Sequence, residues 1–438
     1  MATPRDSRLV KRGPWPRGIN NAAPEHAMPS NEFGTRAIAL READNVDFDD
    51  IGWPATRHGS AKAVDLTLGH SLWWGADSAF GLVVHDGMLH ALDADYALTP
   101  LDVEVGHAWL SYATIAGNVY YTNNARCGMV TPDLRHYAWA PEQPAGQPAL
   151  ESMAGGSLGP GRYQVAVTFS DVLGRESGSV LATEIEVVGG TIALTGLPIP
   201  QDTDETPTTN VYCTAANGTA LFLAFSMPSS FSYAEISAPP TGRALATHLL
   251  EPLPNGTIVR YGHGRQWVAR GREVLWSEPL RYGLFNPAHN RIRFAAPVDL
   301  LEPVGDGEPG AGVYVASGDR TYWLGGADPA SFTQRFARPS GVVRYSSARA
   351  PATAFGYESA GDVLVWLARD GRFCLGAPGG NVTPLKDGEA AIDTADAAAT
   401  LFRESNGQRQ VVSSLRGPRR NGLAVTDRAI AHVIHEEA

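Results

Sequence analysis

The chain has 438 residues, 43% of them hydrophobic and 18% charged, which excludes an intrinsically disordered protein and leaves room for two or three cores or one large all-β architecture. A formal net charge of −11, with RGPRR (Arg416 to Arg420) as the densest basic spot, excludes a nucleic-acid grip built on a broad basic surface. Three scattered cysteines, Cys127, Cys213 and Cys374, exclude a disulfide framework and a paired-cysteine zinc site, and read as small buried hydrophobes of a reducing compartment.

No long apolar run and no apolar leader occurs, so neither a membrane span nor an export signal is expected. The 47 glycines and 31 prolines fall as punctuation between short apolar runs, which predicts many turns. In chain order, KRGPWPRGINNAAPEHAMP (Lys11 to Pro29) is too rich in Pro and Gly for regular structure and too polar for a core. Two short strands follow, Asn45 to Phe48 and Trp53 to His58. GLVVHDGMLHALD (Gly81 to Asp93) then sets an Asp-Gly between two apolar runs, a strong hairpin signal, because a primed turn needs positive φ at both central residues.

Hairpins of the same kind recur. Their turns are placed at Gly117-Asn118, near Arg270-Gly271, and at Gly318-Asp319, Asp370-Gly371 and Asn406-Gly407. The turn spacing scatters around the roughly 40 to 50 residues of a propeller blade. Thr-Pro follows three of the hairpins (Thr99-Pro100, Thr131-Pro132, Thr383-Pro384), so each repeat reads as a hairpin, a loop with Pro and an outer strand. One such unit cannot bury both faces, and the repeats must stack; Trp73, Trp74, Tyr120, Tyr121, Trp276, Trp323 and Trp366 supply the packing between blades.

The rhythm breaks between Gly117 and Gly271. There GRYQVAVTFSDVLGRESG alternates Tyr163, Val165, Val167 and Phe169 before a turn at Asp171 to Gly174, and three or four further strands follow. This is the pattern of a small β-sandwich and resembles a fibronectin type III module, bordered by Pro- and Gly-rich linkers. Helix composition occurs at Asp387 to Phe402 and in the terminal AIAHVIHEE. The fold class is therefore all-β, a β-propeller with an inserted immunoglobulin/fibronectin-III-like β-sandwich. Its divisions are an extended arm over 1–36, propeller over 37–149, sandwich over 150–240, propeller over 241–425 and a C-terminal tail over 426–438.

Candidate chemistry is thin. Asp44, Asp47, Asp49 and Asp50 are the densest carboxylates and read as a solvated or turn-forming face; Asp93 and Asp95 offer too few oxygen ligands in sequence for Ca²⁺. SGDRTYW (Ser317 to Trp323) only partly matches the Asp-box of sialidase propellers, itself a structural turn. His432 and His435 stand three apart near the end and read as tail rather than metal ligands; His85 and His90 flank a turn and should point outward. No nucleophile elbow, zincin motif or P-loop is present, so no catalytic residue, cofactor or metal site is assigned and an enzyme is not expected.

The N-terminal arm carries Gly13, Pro14, Pro16, Gly18, Asn20 and Asn21. The next segment carries Ala39, Leu40, Arg41, Ala43, Asn45, Val46, Asp47, Asp49 and Gly52. Together with LWSEPLRYGLFNP (Leu275 to Pro287) and VGDGEPGAGVYVASGDRTYWLGGADPASF (Val304 to Phe332), they resemble the tail nozzle, or tail hub, proteins of short-tailed bacteriophages. The resemblance implies a structural virion protein, assembled in the host cytoplasm, with six propeller subunits in a ring below the adaptor that follows the portal. Fibres or spikes and a plug or needle would be further neighbours, and double-stranded DNA would pass through without specific binding. Arg12, Trp15, Arg17, Asn20 and Asn21 are then interface candidates, on an arm expected to lie across a neighbour. A negative wall lets a duplex slide, so Asp93, Asp95, Asp202, Asp204, Glu205, Glu302, Asp306 and Glu308 are candidates for the lumen. Alternatives are a carbohydrate-binding or glycan-hydrolysing propeller, with exposed aromatics at one mouth, and a receptor-binding tail fibre component.

Overall fold

In the computed structural model, Asp86 and Gly87 have φ of 47° and 78° and close a two-residue turn that pairs His85 with Met88, as the Asp-Gly signal predicts. The structure describes residues 14–17, 19–30, 38–41, 46–48, 53–56, 61–75, 78–358, 361–386, 388, 390–392, 395–405, 408–417 and 428–433. Nearly all of the regular structure in them is antiparallel strand. The chain divides into two compact units, Val64–Arg293 and Met1–Ala63 with Phe294–Ala438.

In chain order, β1 (Val46–Phe48) pairs with β2 (Pro54–Thr56). β3 (His70–Trp74), β4 (Gly81–His85), β5 (Met88–Leu92) and β6 (Leu98–Glu104) form a first meander. A second follows in β7 (Ser111–Ile115), β8 (Asn118–Thr122), β9 (Cys127–Val130) and β10 (His136–Tyr137). The next strands are β11 (Ala149–Leu158), β12 (Gly161–Ser170), β13 (Thr183–Val187), β14 (Gly190–Thr195), β15 (Thr208–Thr214), β16 (Leu221–Pro228) and β17 (Tyr233–Ile236). They make two sheets, ordered β11-β14-β17 and β13-β12-β15-β16. A third four-stranded sheet holds β19 (Ile258–Gly262), β20 (Arg265–Arg270), β21 (Glu273–Trp276) and β23 (Arg291–Arg293), with β18 (Glu251–Pro252) paired to β22 (Leu284–Phe285).

In the other unit a fourth sheet contains β24 (Val298–Val304), β25 (Gly312–Ser317), β26 (Arg320–Gly325) and β27 (Thr333–Arg338). A fifth contains β28 (Ala348–Pro351), β29 (Asp362–Leu367), β30 (Phe373–Gly376) and β31 (Val382–Pro384), and a sixth has β32 (Ala397–Ser405), β33 (Gln408–Arg416) and β34 (Arg428–Val433).

The larger sheets bury their faces on one another. Leu82, Val84, Leu89 and Ala91 of the first sheet pack against Val119, Tyr121 and Val130 of the second. The second sheet's other face, with Ile115, Tyr120 and Met129, packs on Val259, Val268 and Leu275 of the third. In the other unit, Leu300, Tyr314 and Trp323 meet Leu364, Trp366 and Cys374, while Val363, Val365 and Leu375 on the opposite face meet Ala398, Val411 and Leu415 of the sixth sheet. Each such buried side chain contributes about 1.5–3 kcal/mol, so no sheet is stable without the neighbour that covers it. Two Thr-Pro pairs lie in the outer strands β6 and β31, where Pro100 and Pro384 occupy sheet edges that need no further N–H donor. Trp74 departs from the expected packing and is 43% exposed.

β12 turns Tyr163, Val165 and Val167 toward a core shared by the two sheets of β11 to β17, with Ile192, Leu194, Val211, Cys213 and Ile236. Ala166 faces the other way, onto Tyr212 and Leu221.

Four local expectations need correction or adjustment. The turn placed at Gly117-Asn118 sits one residue earlier, at Ala116 and Gly117, because Asn118 joins the ladder opposite Ile115. The loop around Asp370-Gly371 is longer than two residues, since Leu367 pairs with Phe373. The helix expected over Asp387 to Phe402 is a strand from Ala397, and AIAHVIHEE supplies β34, which includes His432. Nine ladder pairs with β33 outweigh the helix preference of alanine in β32. The Asn406-Gly407 turn, Arg12, Asp44, Asp49, Asp50 and His435 lie outside the described residues, although Ser405 and Gln408 pair across that turn.

Candidate functional site

The residues that carry the family resemblance are engaged in architecture. Asn21 grips the backbone of Ala391 at both ends of its amide: Nδ2 donates to the Ala391 carbonyl at 2.6 Å, and Oδ1 accepts from the Ala391 N–H at 2.9 Å. Asn20 is buried; its N–H donates to Leu40 O at 2.7 Å and its Oδ1 accepts from Ala23 N at 3.0 Å. Arg17 accepts at its carbonyl from Lys386 Nζ, 2.7 Å away, and Trp15 is half-buried. Arg17, Asn20 and Asn21 are thus anchored through these bonds to residues of their own chain. Asn21→Ala removes both bonds to Ala391 and is expected to cost about 1–2 kcal/mol of local stability. Hydrogen exchange at the Ala391 amide should quicken in that variant while amides of β29 stay unchanged.

In LWSEP, Trp276 stacks on the buried Trp267 with centroids 5.5 Å apart, and Ser277 Oγ accepts from Gln266 N at 3.0 Å. Glu278 Oε1 accepts from Asn290 Nδ2 at 2.8 Å. In the segment from Val304 to Phe332, Tyr314 donates to Ala377 O at 2.7 Å and stacks on Trp323. Asp328 caps the short 3-10 helix Pro329–Ser331 by accepting from Ala330 N.

The acidic candidates divide by environment. Asp93 Oδ1 accepts from the N–H groups of Asp95 and Ala97, and Asp202 Oδ1 from those of Asp204 and Glu205, so both are turn-formers. Asp93, Asp95, Asp202, Asp204, Glu205 and Asp306 are exposed, and Glu308 is half-buried. Glu302 is corrected: it is 3% exposed, so its carboxylate cannot belong to a solvated wall. It accepts from Ser347 Oγ at 2.8 Å and lies 4.0 Å from Arg349 Nε. On the same strand, Asp299 is the extra residue of a β-bulge between Val298 and Leu300. Its buried carboxylate receives Arg344 Nε at 2.5 Å and Arg369 NH2 at 2.7 Å. Composition gave no warning of this cluster. A signal was present: Leu300, Glu302 and Val304 alternate along one strand face, with Leu300 and Val304 in the core.

Other reactive groups are muted. Ser179 Oγ lies 2.8 Å from His248 Nδ1, but the serine is 0% exposed, beyond reach of any substrate. Cys213 and Cys374 are buried as expected, whereas Cys127 is half-buried. Burial pushes the Cys213 thiol up to about 12 and that of Cys127 to about 11, which leaves both as inert thiols at neutral pH. The rings of His85 and His90 meet edge to face, 5.5 Å apart, and Thr67 N donates to His85 Nδ1. Among the described residues no group of three or more His, Cys, Asp and Glu could hold a metal ion, and no helix is long and apolar enough to cross a membrane.

Burial also lowers His70, His136 and His248 from 6.5. Their imidazoles bind protons less readily folded than unfolded, so the associated stability is complete above pH 6.5 and is lost as pH falls toward the folded values. Denaturant midpoints measured at about pH 7.5 and about pH 5.5 should drop at the lower pH. His136→Gln should flatten part of that slope.

No family model matches the chain, and no curated protein does. Among solved structures it is similar to apo AztD from Citrobacter koseri, at 10% identity and a TM-score of 0.36, covering 84% of this chain and 90% of that one. It is similar also to the Dos1 propeller, at 8% identity and a TM-score of 0.34, covering 85% and 79%. A third is the WD40 domain of SCAP from fission yeast, at 8% identity and a TM-score of 0.27, covering 84% and 76%.

Proposed function

We propose that this chain is a structural subunit of the tail nozzle of a short-tailed bacteriophage, a β-propeller with an inserted immunoglobulin-like sandwich. One observation carries the assignment. Asn20, Asn21, Ser277, Glu278, Tyr314 and Asp328, the motif residues just described, close turns, clamp the arm and buttress aromatic stacks. Residues in these roles hold an architecture and perform no reaction, which suits a structural subunit. Antiparallel sheets that cover one another face to face support the propeller, and the two sheets around Val165 and Val211 support the sandwich.

In this role six copies form a ring below the adaptor, and DNA leaves through it without being gripped. Trp15 and Arg17 are the arm residues offered to neighbours. The exposed acidic turns at Asp93, Asp95, Asp202, Asp204, Glu205 and Asp306, with Glu308, contribute a wall that repels the duplex. Imaging of an assembled virion tests the assignment. Density for this chain is expected as a six-fold ring at the tail, with an acidic bore. Absence from the particle, or turnover of a glycan by the purified protein at a defined acid pair, overturns it in favour of a carbohydrate-acting propeller.

A further inference from the structure

We propose that Arg344, Arg349 and Arg369 form a prepositioned docking site for a short acidic segment of a partner protein, recognised through its carboxylates. Each guanidinium is held from behind and open in front. Asp299 fixes Arg344 and Arg369 at once, one on each carboxylate oxygen, while Glu302 stands behind Arg349, whose NH2 also donates to Pro303 O at 2.8 Å. The two carboxylates are buried, yet the arginine side chains are 50%, 42% and 50% exposed. Salt bridges of this kind contribute little net stability after desolvation, but they fix guanidinium forks that otherwise sample many rotamers.

The backbone is shaped for the same end. The β-bulge at Asp299 turns its carboxylate out of the normal alternation. Tyr345, next to Arg344, sits at φ 61°, a strained setting for a bulky residue. The turn is anchored by the fully buried Ser346, whose hydroxyl donates to Val343 O and accepts from Leu367 N.

Three guanidinium groups over two carboxylates leave one net positive charge on a chain of net charge −11. That is too little to hold nucleic acid, which needs many phosphate contacts against the field of the whole protein. It suffices for one or two carboxylates met by planar, two-pronged donors. The site does not rest on the tail-nozzle role.

The test uses the full chain and a fluorescent hexaglutamate peptide, followed by anisotropy at about 50 mM salt, where surface charge is weakly screened. Saturable binding with Kd below about 1 mM is expected. Arg344→Lys with Arg369→Lys keeps both charges and the pairing with Asp299, so the fold is retained while the forks are lost; affinity should fall at least about fivefold. Arg349→Gln, whose partner Glu302 keeps its bond from Ser347, should weaken binding similarly. Near-UV circular dichroism verifies that each variant is folded. No binding by the wild-type chain, equal binding by the lysine variant, or tighter binding of a DNA duplex that the same substitutions abolish, would each overturn the proposal.

Discussion

Trp366→Ala is expected to destabilise the unit that holds the fourth, fifth and sixth sheets by about 3–5 kcal/mol and to lower its thermal midpoint by roughly 10 °C. The indole is fully buried in β29 and stacks on Tyr314 with centroids 5.5 Å apart, while Tyr314 in turn stacks on Trp323 at 4.6 Å. Gly376 leaves the space the ring occupies, since a Cβ there would lie 2.5 Å from Trp366 Cζ3. Truncation therefore opens a cavity walled by the Tyr314 ring and a backbone that cannot collapse into it. Trp366→Phe separates volume from polarity. The indole N–H is buried without a hydrogen-bond partner. Phenylalanine sacrifices some contact but removes that donor, whose burial costs about 1–3 kcal/mol, so the net change should stay below about 1.5 kcal/mol. Denaturant titration of the two variants checks the pair. An alanine variant no worse than the phenylalanine one would mean that this layer does not hold the sheets together.

The hairpins were legible where positive φ falls on residues that favour it. Asp86-Gly87 and Gly318-Asp319 are such cases, and pairing across both is as expected. The turn between β19 and β20 is His263-Gly264, at φ 55° and 68°, and is hard to read in the sequence because histidine is a weaker turn signal although it tolerates this region. β32 was unreadable for another reason: Ala397 to Ala399 favours helix locally, and only a ladder with β33 decides otherwise. The candidate sites divide along the same line. Asn20 and Asn21 stood out through a motif, but the partner of Asn21 is Ala391, 370 residues away, and no local pattern names it. Asp299 and Glu302 lie in VDLLEPV, where composition suggests an acidic loop and alternation with buried leucine and valine suggests a core strand. Alternation was the better guide, and it was available. That Arg344 and Arg349 from one segment and Arg369 from another meet these two carboxylates depends on how two sheets pack, which no local pattern in the sequence encodes.

Glu176→Ala should cost about 3–5 kcal/mol, whereas Arg243→Ala should cost under about 1 kcal/mol, although the two form an ion pair. The carboxylate is the hub of a polar cluster on the outer face of β12 and β15. Its Oε1 accepts from Thr168 Oγ1 at 2.6 Å, Tyr212 OH at 2.7 Å and Asn210 Nδ2 at 3.3 Å, and its Oε2 from Arg243 NH2 at 3.0 Å. Loss of the acceptor strands a tyrosine hydroxyl whose ionisation is already suppressed by burial, together with the hydroxyl of the buried Thr168, while Asn210 Nδ2 keeps its bond to Ser170 Oγ at 2.9 Å. Loss of the arginine leaves the three neutral donors in place, and Arg243 itself is mostly exposed. Glu176→Gln tests this ordering, because an amide oxygen can still accept from Thr168 and Tyr212; it should cost about 1–2 kcal/mol, the weakening from charged to neutral acceptor. The hub also fastens the segment 242–245, where Leu223 N bonds Arg243 O and Leu245 N bonds Leu221 O along the edge of β16. Trypsin cuts after arginine only in an extended, detached segment, so cleavage at Arg243 should accelerate in Glu176→Ala and stay near the wild-type rate in Glu176→Gln. If both variants were cut alike, the charge and not the acceptor geometry would be what holds that segment down.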